Sequence, residues 1–172
     1  MASIIAAKGL SNAEKWAKGL VSNLAKRPQG NDRSQLKSIY SGECDVAIIN
    51  HYYYGKLTYS KNPDHRKWAK ASIIVFPNQG PSDRGAHVNI SGGGVVKFSK
   101  NKELATKFLE FLVSEQAQIL YGDVNFEYPI NNKSKLPKRL KALCTFKEDS
   151  LLIEDIAKLA PKAQEIIDTV YW

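Results

Sequence analysis

Two runs of four apolar residues, Val46-Ala47-Ile48-Ile49 and Ile73-Ile74-Val75-Phe76, restrict what this 172-residue chain can become. Short, rich in β-branched side chains and without polar alternation, each has the character of a strand buried on both faces. Helical patterns surround them. Ser11-Asn12-Ala13-Glu14 has the form of a capping box, and Ala13, Trp16, Ala17, Leu20, Val21 and Leu24 recur at helical spacing until Pro28-Gln29-Gly30-Asn31-Asp32 closes the pattern with turn residues. Residues 34–40 read as a short second helix. Asn101 is placed to cap a long helix with Leu104, Ala105, Phe108, Leu109, Phe111 and Leu112 on one face, extended past Ser114 by Ala117, Leu120 and Tyr121. Pro161 opens the last helix. Ala86-His87-Val88-Asn89-Ile90 and Val95-Val96-Lys97-Phe98 read as further strands, and residues 125–138 as an irregular connection. Helices alternating with short buried strands predict an α/β architecture.

Composition narrows the function. Hydrophobic residues are 43% of the chain, a globular value. Twenty-five Lys and Arg against seventeen Asp and Glu leave a net charge of +8, but the basic residues are spread over all the helices and no nucleic-acid motif is present, so no nucleic-acid partner is expected. No window approaches about eighteen consecutive apolar residues, so no membrane-spanning helix is predicted. The first thirty residues lack the pattern of a signal peptide. Cys44 and Cys144, a hundred positions apart, form neither a disulfide scaffold nor a zinc motif, and whether they pair is left open. Neither has a histidine close in sequence, and no Gly-x-Ser-x-Gly elbow or P-loop occurs, so the expectation is a protein that is not an enzyme.

The chemistry-bearing feature is Asn50-His51-Tyr52-Tyr53-Tyr54, where an apolar strand ends. In open α/β sheets ligands bind at that edge. Three successive tyrosines cannot all face the core of a regular strand. If the chain turns into a helix at Asn50, neighbouring phenols fan out from its first turn and two can converge on one object. Phenols are neutral at pH 7, yet a hard trivalent cation displaces the proton and stabilises the phenolate, so paired tyrosinates favour ferric iron. Asn50 offers an amide to a phenolate or an anion, and His51 an imidazole. Tyrosine runs also serve as strand-edge packing, as sugar-stacking platforms and as parts of interfaces.

Several blocks carry a resemblance. Residues 42–54, Phe76-Pro77-Asn78-Gln79, Arg84-Gly85-Ala86-His87-Val88-Asn89-Ile90-Ser91-Gly92 and Glu127-Tyr128-Pro129 stand in the order found in the periplasmic ferric-ion-binding proteins of bacterial iron(III) ABC transporters, which the chain resembles over essentially its whole length. Trp16-Ala17-Lys18-Gly19-Leu20 and Lys26-Arg27-Pro28-Gln29-Gly30 resemble the same family. The resemblance implies a type II periplasmic-binding-protein-like clamshell. Its implied ligands are Tyr52 and Tyr53 for Fe(III), with Asn50 as an anion contact or second-shell residue and Tyr54 in packing. His51 falls in a variable slot. Arg84, His87 and Asn89 are implied to make hinge hydrogen bonds. Carbonate, phosphate or citrate is the implied synergistic anion, an inner-membrane ABC permease the implied partner, and the periplasm the implied location.

The resemblance departs at the start, where the family has a signal peptide and an N-terminal lobe with further ligands. It therefore implies a C-terminal portion, an incomplete clamshell: residues 1–82 and 134–172 in the C-terminal lobe, residues 83–133 returning to the N-terminal lobe, with hinge crossings near 83–90 and 128–134. The missing N-terminal lobe segment or a second chain would complete it. The other expectation is a truncated remnant without tight iron binding, persisting as a structural or interaction fragment.

Overall fold

The computed structural model describes residues 1–131, 133–143 and 145–172. The described residues form α1 (Ala2–Lys8), α2 (Leu10–Ser22), α3 (Asp32–Tyr40), α4 (His51–Thr58), α5 (Pro63–Lys70), α6 (Lys102–Leu112), α7 (Glu115–Asn125), α8 (Lys138–Leu143), α9 (Ile153–Lys158) and α10 (Ala160–Val170). Cys144 lies outside them, so its pairing with Cys44 does too.

The helix starts follow local chemistry, with two corrections. Ser11 is not a cap: Gly9, at φ 79°, ends α1 and begins α2 at once, which puts Ser11 inside the helix. The long helix expected from Asn101 is two, because the Ser114 side chain accepts from the Ala117 N–H and starts α7 afresh. Asn101 holds the N-cap position of α6 but makes no side-chain capping bond. Pro161 does lie in the first turn of α10.

Packing divides the chain into two compact units. One comprises Met1–Gln29, Phe76–Asn89 and Phe146–Trp172; the other comprises Gly30–Val75 and Ile90–Thr145. Within the second unit α4 packs on α7 and α8.

In the first unit, α1, α2 and α10 enclose Ile5, Ala13, Ala17, Ala163, Ile166 and Val170. The Ala86 and Glu148 backbones form a parallel bridge there, with Ala86 N–H donating to Lys147 O at 2.9 Å and Asp149 N–H to Ala86 O at 2.8 Å. Gly85 makes this approach possible: at φ 94°, a Cβ there would lie 2.4 Å from the Glu148 carbonyl oxygen. Arg84 pins the same region to the first helix. Its guanidinium pairs with the buried Asp149 and donates to Ser3 Oγ at 3.0 Å.

In the second unit, α3, α4 and α5 close around Leu36, Leu57 and Ala69, with Ile39, Ile49, Tyr54 and Trp68 packed against them. The segments expected as strands at 46–49 and 73–76 carry no regular secondary structure here, the one expected at 95–98 runs into a turn in which Ser99 N–H donates to Val96 O at 3.0 Å, and no ladder forms among the described residues. The one β-bridge among them is the Ala86 bridge of the first unit, within the run expected as a strand at 86–90. The physical reason is visible in the burial pattern. Ala47, Ile49, Ile74 and Val95 are half-buried, while their neighbours Val46, Ile48, Ile73, Val75, Val96 and Phe98 are 65–84% exposed. One face of 46–49 and of 73–75 is partly covered and the other bare, and in 95–98 Val95 alone is partly covered, whereas a strand is held by neighbours about 4.8 Å away.

Candidate metal centre

The start of α4 is fixed by a carboxylate from another helix. Asn50, extended at φ −76° and ψ 132°, is its N-cap. Its backbone N–H donates to Asp32 Oδ1 at 2.7 Å and its side-chain amide to the same oxygen at 3.3 Å. Asp32 opens α3, which Asn31 caps by accepting from the Ser34 N–H at 3.1 Å. One carboxylate thus ties two helix starts together, and the four residues after Asn50 project from a held first turn.

Those four divide between interior and surface. Tyr54 turns inward against the Leu36, Leu57 and Ala69 cluster, and its hydroxyl donates to the Ser72 carbonyl at 3.2 Å. His51 Nε2–H donates to the Phe126 carbonyl at 2.7 Å, and the ring lies 5.1 Å from that of Tyr128. A carbonyl only accepts, so this nitrogen carries the proton. Burial holds the His51 pKa below the ordinary histidine value, against the hydrogen bond and the Glu127 charge, which raise it. His51 therefore anchors α4 to the segment around Phe126.

Tyr52 and Tyr53 remain side by side and half-buried, their ring centroids 4.5 Å apart and their planes inclined by 40°. The Tyr52 phenol titrates above the ordinary tyrosine value: burial is the leading cause, followed by its hydrogen bond with Tyr53 and the negative charges of Tyr53, Asp32 and Glu127. Ionising one phenol opposes ionising the other. Cations stand over both rings, Arg33 Cζ at 5.8 Å from the Tyr53 centroid and Lys56 Nζ at 5.3 Å from that of Tyr52. A trivalent cation beside both oxygens reverses the mutual opposition, because each phenolate is then attracted more strongly than it is repelled. Among the described residues no three His, Cys, Asp or Glu side chains group where they could hold a metal ion.

Asp32, Arg33 and Lys56 are absent from the sequence reading of this site. Asp32 reads in sequence as the end of a turn, and its pairing with Asn50 spans eighteen positions. A polar pair such as Asn31-Asp32 opening a helix is the one local sign that this carboxylate faces a backbone N–H. Arg84 belongs to the other unit, bound to Ser3 and Asp149; His87 is exposed in the same unit.

Comparison with known proteins gives a consistent set of likenesses. Residues 7–119 match the family model described as bacterial extracellular solute-binding protein. Over all 172 residues the chain is 41% identical to iron uptake protein A1 of Synechocystis sp., covering 47% of that protein. Among solved structures, a ferric binding protein from Campylobacter jejuni superposes with a TM-score of 0.92 at 43% identity, over 98% of this chain and 53% of that one. A Trichodesmium protein solved in complex with iron and citrate ligands superposes with a TM-score of 0.90 at 44% identity, over 99% of this chain and 54% of that one. The chain spans about half the length of the relatives it matches. Its fold is accordingly about half of a type II periplasmic-binding-protein fold.

Proposed function

The chain belongs to the bacterial extracellular solute-binding protein family, and from that premise we propose that it binds ferric iron for a bacterial iron(III) ABC uptake transporter, with Tyr52 and Tyr53 as phenolate ligands. The observation that carries this reading is the pair of adjoining phenols on the held first turn of α4, their rings 4.5 Å apart and a cation over each. The likeness to a protein solved with iron and citrate supports the choice of cargo. The ion enters as cargo and leaves unchanged, so the role needs no covalent step.

In this reading Asn50 acts from the second shell. Its amide is bonded to Asp32, which fixes the turn that carries the two ligands. Two phenolates do not fill the coordination of a ferric ion. A chelating anion such as citrate, carbonate or phosphate, or donors from the half of the fold that this chain does not span, supplies the rest. Delivery is to an inner-membrane ABC permease, from the periplasmic side.

Titration of the chain with ferric citrate is expected to produce a visible phenolate-to-iron charge-transfer band, which the Tyr52→Phe, Tyr53→Phe double variant loses. The hydroxyls, not the rings, are removed, so packing at the turn is kept. An unchanged parent spectrum would remove the metal assignment for this chain. Such a chain would be the alternative, a fragment without tight iron binding, whose bare strand faces favour an interaction role.

A further inference from the structure

We propose that the segment from Lys133 to Lys141 is a surface for peripheral attachment to a membrane rich in anionic phospholipid. Use of this surface does not depend on whether Tyr52 and Tyr53 bind iron.

Five of the nine residues in the segment are basic, Lys133, Lys135, Lys138, Arg139 and Lys141, and between Glu127 and Glu148 the sequence contains no Asp or Glu. Four lysines on other helices are matched by an acid one turn away: Glu14 holds Lys18 at 2.7 Å, Asp64 holds Lys67 and Glu103 holds Lys107 at 3.0 Å, and Asp155 holds Lys158 at 2.9 Å. None of the five basic residues has such a partner among the described residues, and all five are exposed.

The backbone beneath them is held, so the charges are presented together. Ile130 N–H donates to Gln118 Oε1 at 2.8 Å, and the Asn131 side-chain amide donates to the Val113 carbonyl at 3.1 Å. Pro137 lies close against α7, where a Cβ on Gly122 would stand 2.9 Å from its ring. In α8 Leu140 is fully buried and the helix packs on α4 and α7, which leaves Lys138, Arg139 and Lys141 at the surface. Ile130, 61% exposed, and Leu136, 39% exposed, stand in the same stretch of chain. Cations interleaved with apolar side chains are the combination that settles at a lipid headgroup boundary.

The residue types select the partner. Four of the five cations are lysines. An ammonium is a compact, strongly hydrated point charge, suited to a plane of like charges, whereas carboxylates at a protein interface are better gripped by the arginine fork. The single arginine is already engaged, its Cζ 5.2 Å from the Tyr59 ring centroid. A protein partner also uses charges of both signs to fix its register, and this segment offers one sign only. Phosphate headgroups require no register. Each basic residue close to such a surface strengthens binding by about fivefold, within the reach of a Debye length.

The test sediments the metal-free 172-residue chain with vesicles of phosphatidylcholine alone, or of phosphatidylcholine with about one-third phosphatidylglycerol, at about 25 mM salt. Binding to the mixed vesicles is expected to be about a hundredfold or more tighter than to the neutral ones, and to be lost at about 500 mM salt. The triple variant Lys135→Gln, Lys138→Gln, Lys141→Gln should bind about a hundredfold more weakly. A control, Lys8→Gln, Lys15→Gln, Lys162→Gln, removes the same charge from exposed positions of the other unit and should lose less than about threefold. All six positions are exposed, so both variants should keep the circular dichroism of the parent. An equal loss in the two variants, no preference for phosphatidylglycerol, or capture by immobilised polyglutamate without binding to the vesicles would overturn the proposal, the last in favour of an acidic polypeptide.

Discussion

At the scale of single residues, the molecule is held by polar groups that tie distant stretches of chain. Asp149, buried, receives the Arg84 guanidinium and the Leu151 N–H at 3.1 Å. An unpaired charge in that place costs several kcal/mol, so the pair works as a clamp more than as a source of net stability. His87, in the same unit, adds a pH dependence. Partial desolvation lowers its pKa below the ordinary 6.5, with the Met1 amino group and then Arg84 acting in the same direction and Asp149 against them. The unfolded chain therefore takes up the proton more readily than the folded one. Stability is full above the ordinary value of 6.5 and falls with pH from there until the lowered folded-state pKa is passed. Melting temperatures measured at about pH 7.5 and about pH 5 should fall in acid, and His87→Gln should reduce that difference. An acid shift of the same size in the variant would assign the effect to other groups.

At the scale of elements, glycine positions separate close packing from open surface. A Cβ on Gly55 of α4 would lie 2.6 Å from the Phe126 ring and 2.9 Å from Leu143. Phe126 cannot yield, being buried, left-handed at φ 61° and stacked on Tyr59 with centroids 5.4 Å apart. Gly55→Val should cost about 3 kcal/mol and weaken the charge-transfer band by displacing the turn that carries Tyr52 and Tyr53. Gly19, exposed in α2 with nothing within 4 Å of a Cβ, provides the contrast: Gly19→Ala should stabilise by up to about 1 kcal/mol. Chemical denaturation of both variants checks the sign of each change.

The same scale separates what the sequence discloses from what it hides. The turn into helix at Asn50 and the first-turn proline of α10 are legible, because each is set by its own neighbours in the chain. The inward position of Tyr54 follows from helical geometry once that turn is placed. The break between α6 and α7 is written locally too, in Ser114, but a continuous apolar face across it conceals the cap. Helix α5, with Asn62 accepting from the Asp64 N–H at 2.9 Å and Pro63 in its first turn, has clear start signals, yet its eight residues contain too few apolar positions for periodicity to find it. Pairing of strands is different in kind. Apolar runs at 46–49 and 73–76 have strand character, but a ladder depends on neighbours, which no property of the run supplies. Asp32, Arg33 and Lys56 join the tyrosines for the same reason: their nearness to the rings is a product of packing between α3 and α4.

At the scale of the whole molecule, the chain corresponds to about half of a known fold, and large apolar side chains such as Val46, Ile73 and Phe98 are exposed. No helix among the described residues is long and apolar enough to cross a membrane. The surplus of positive charge keeps like molecules apart. Ile49 is the last extended residue before Asn50, and it packs against the helical cluster that also receives Tyr54. Any strand that fixes residues 46–49 therefore also fixes the approach to the first turn of α4.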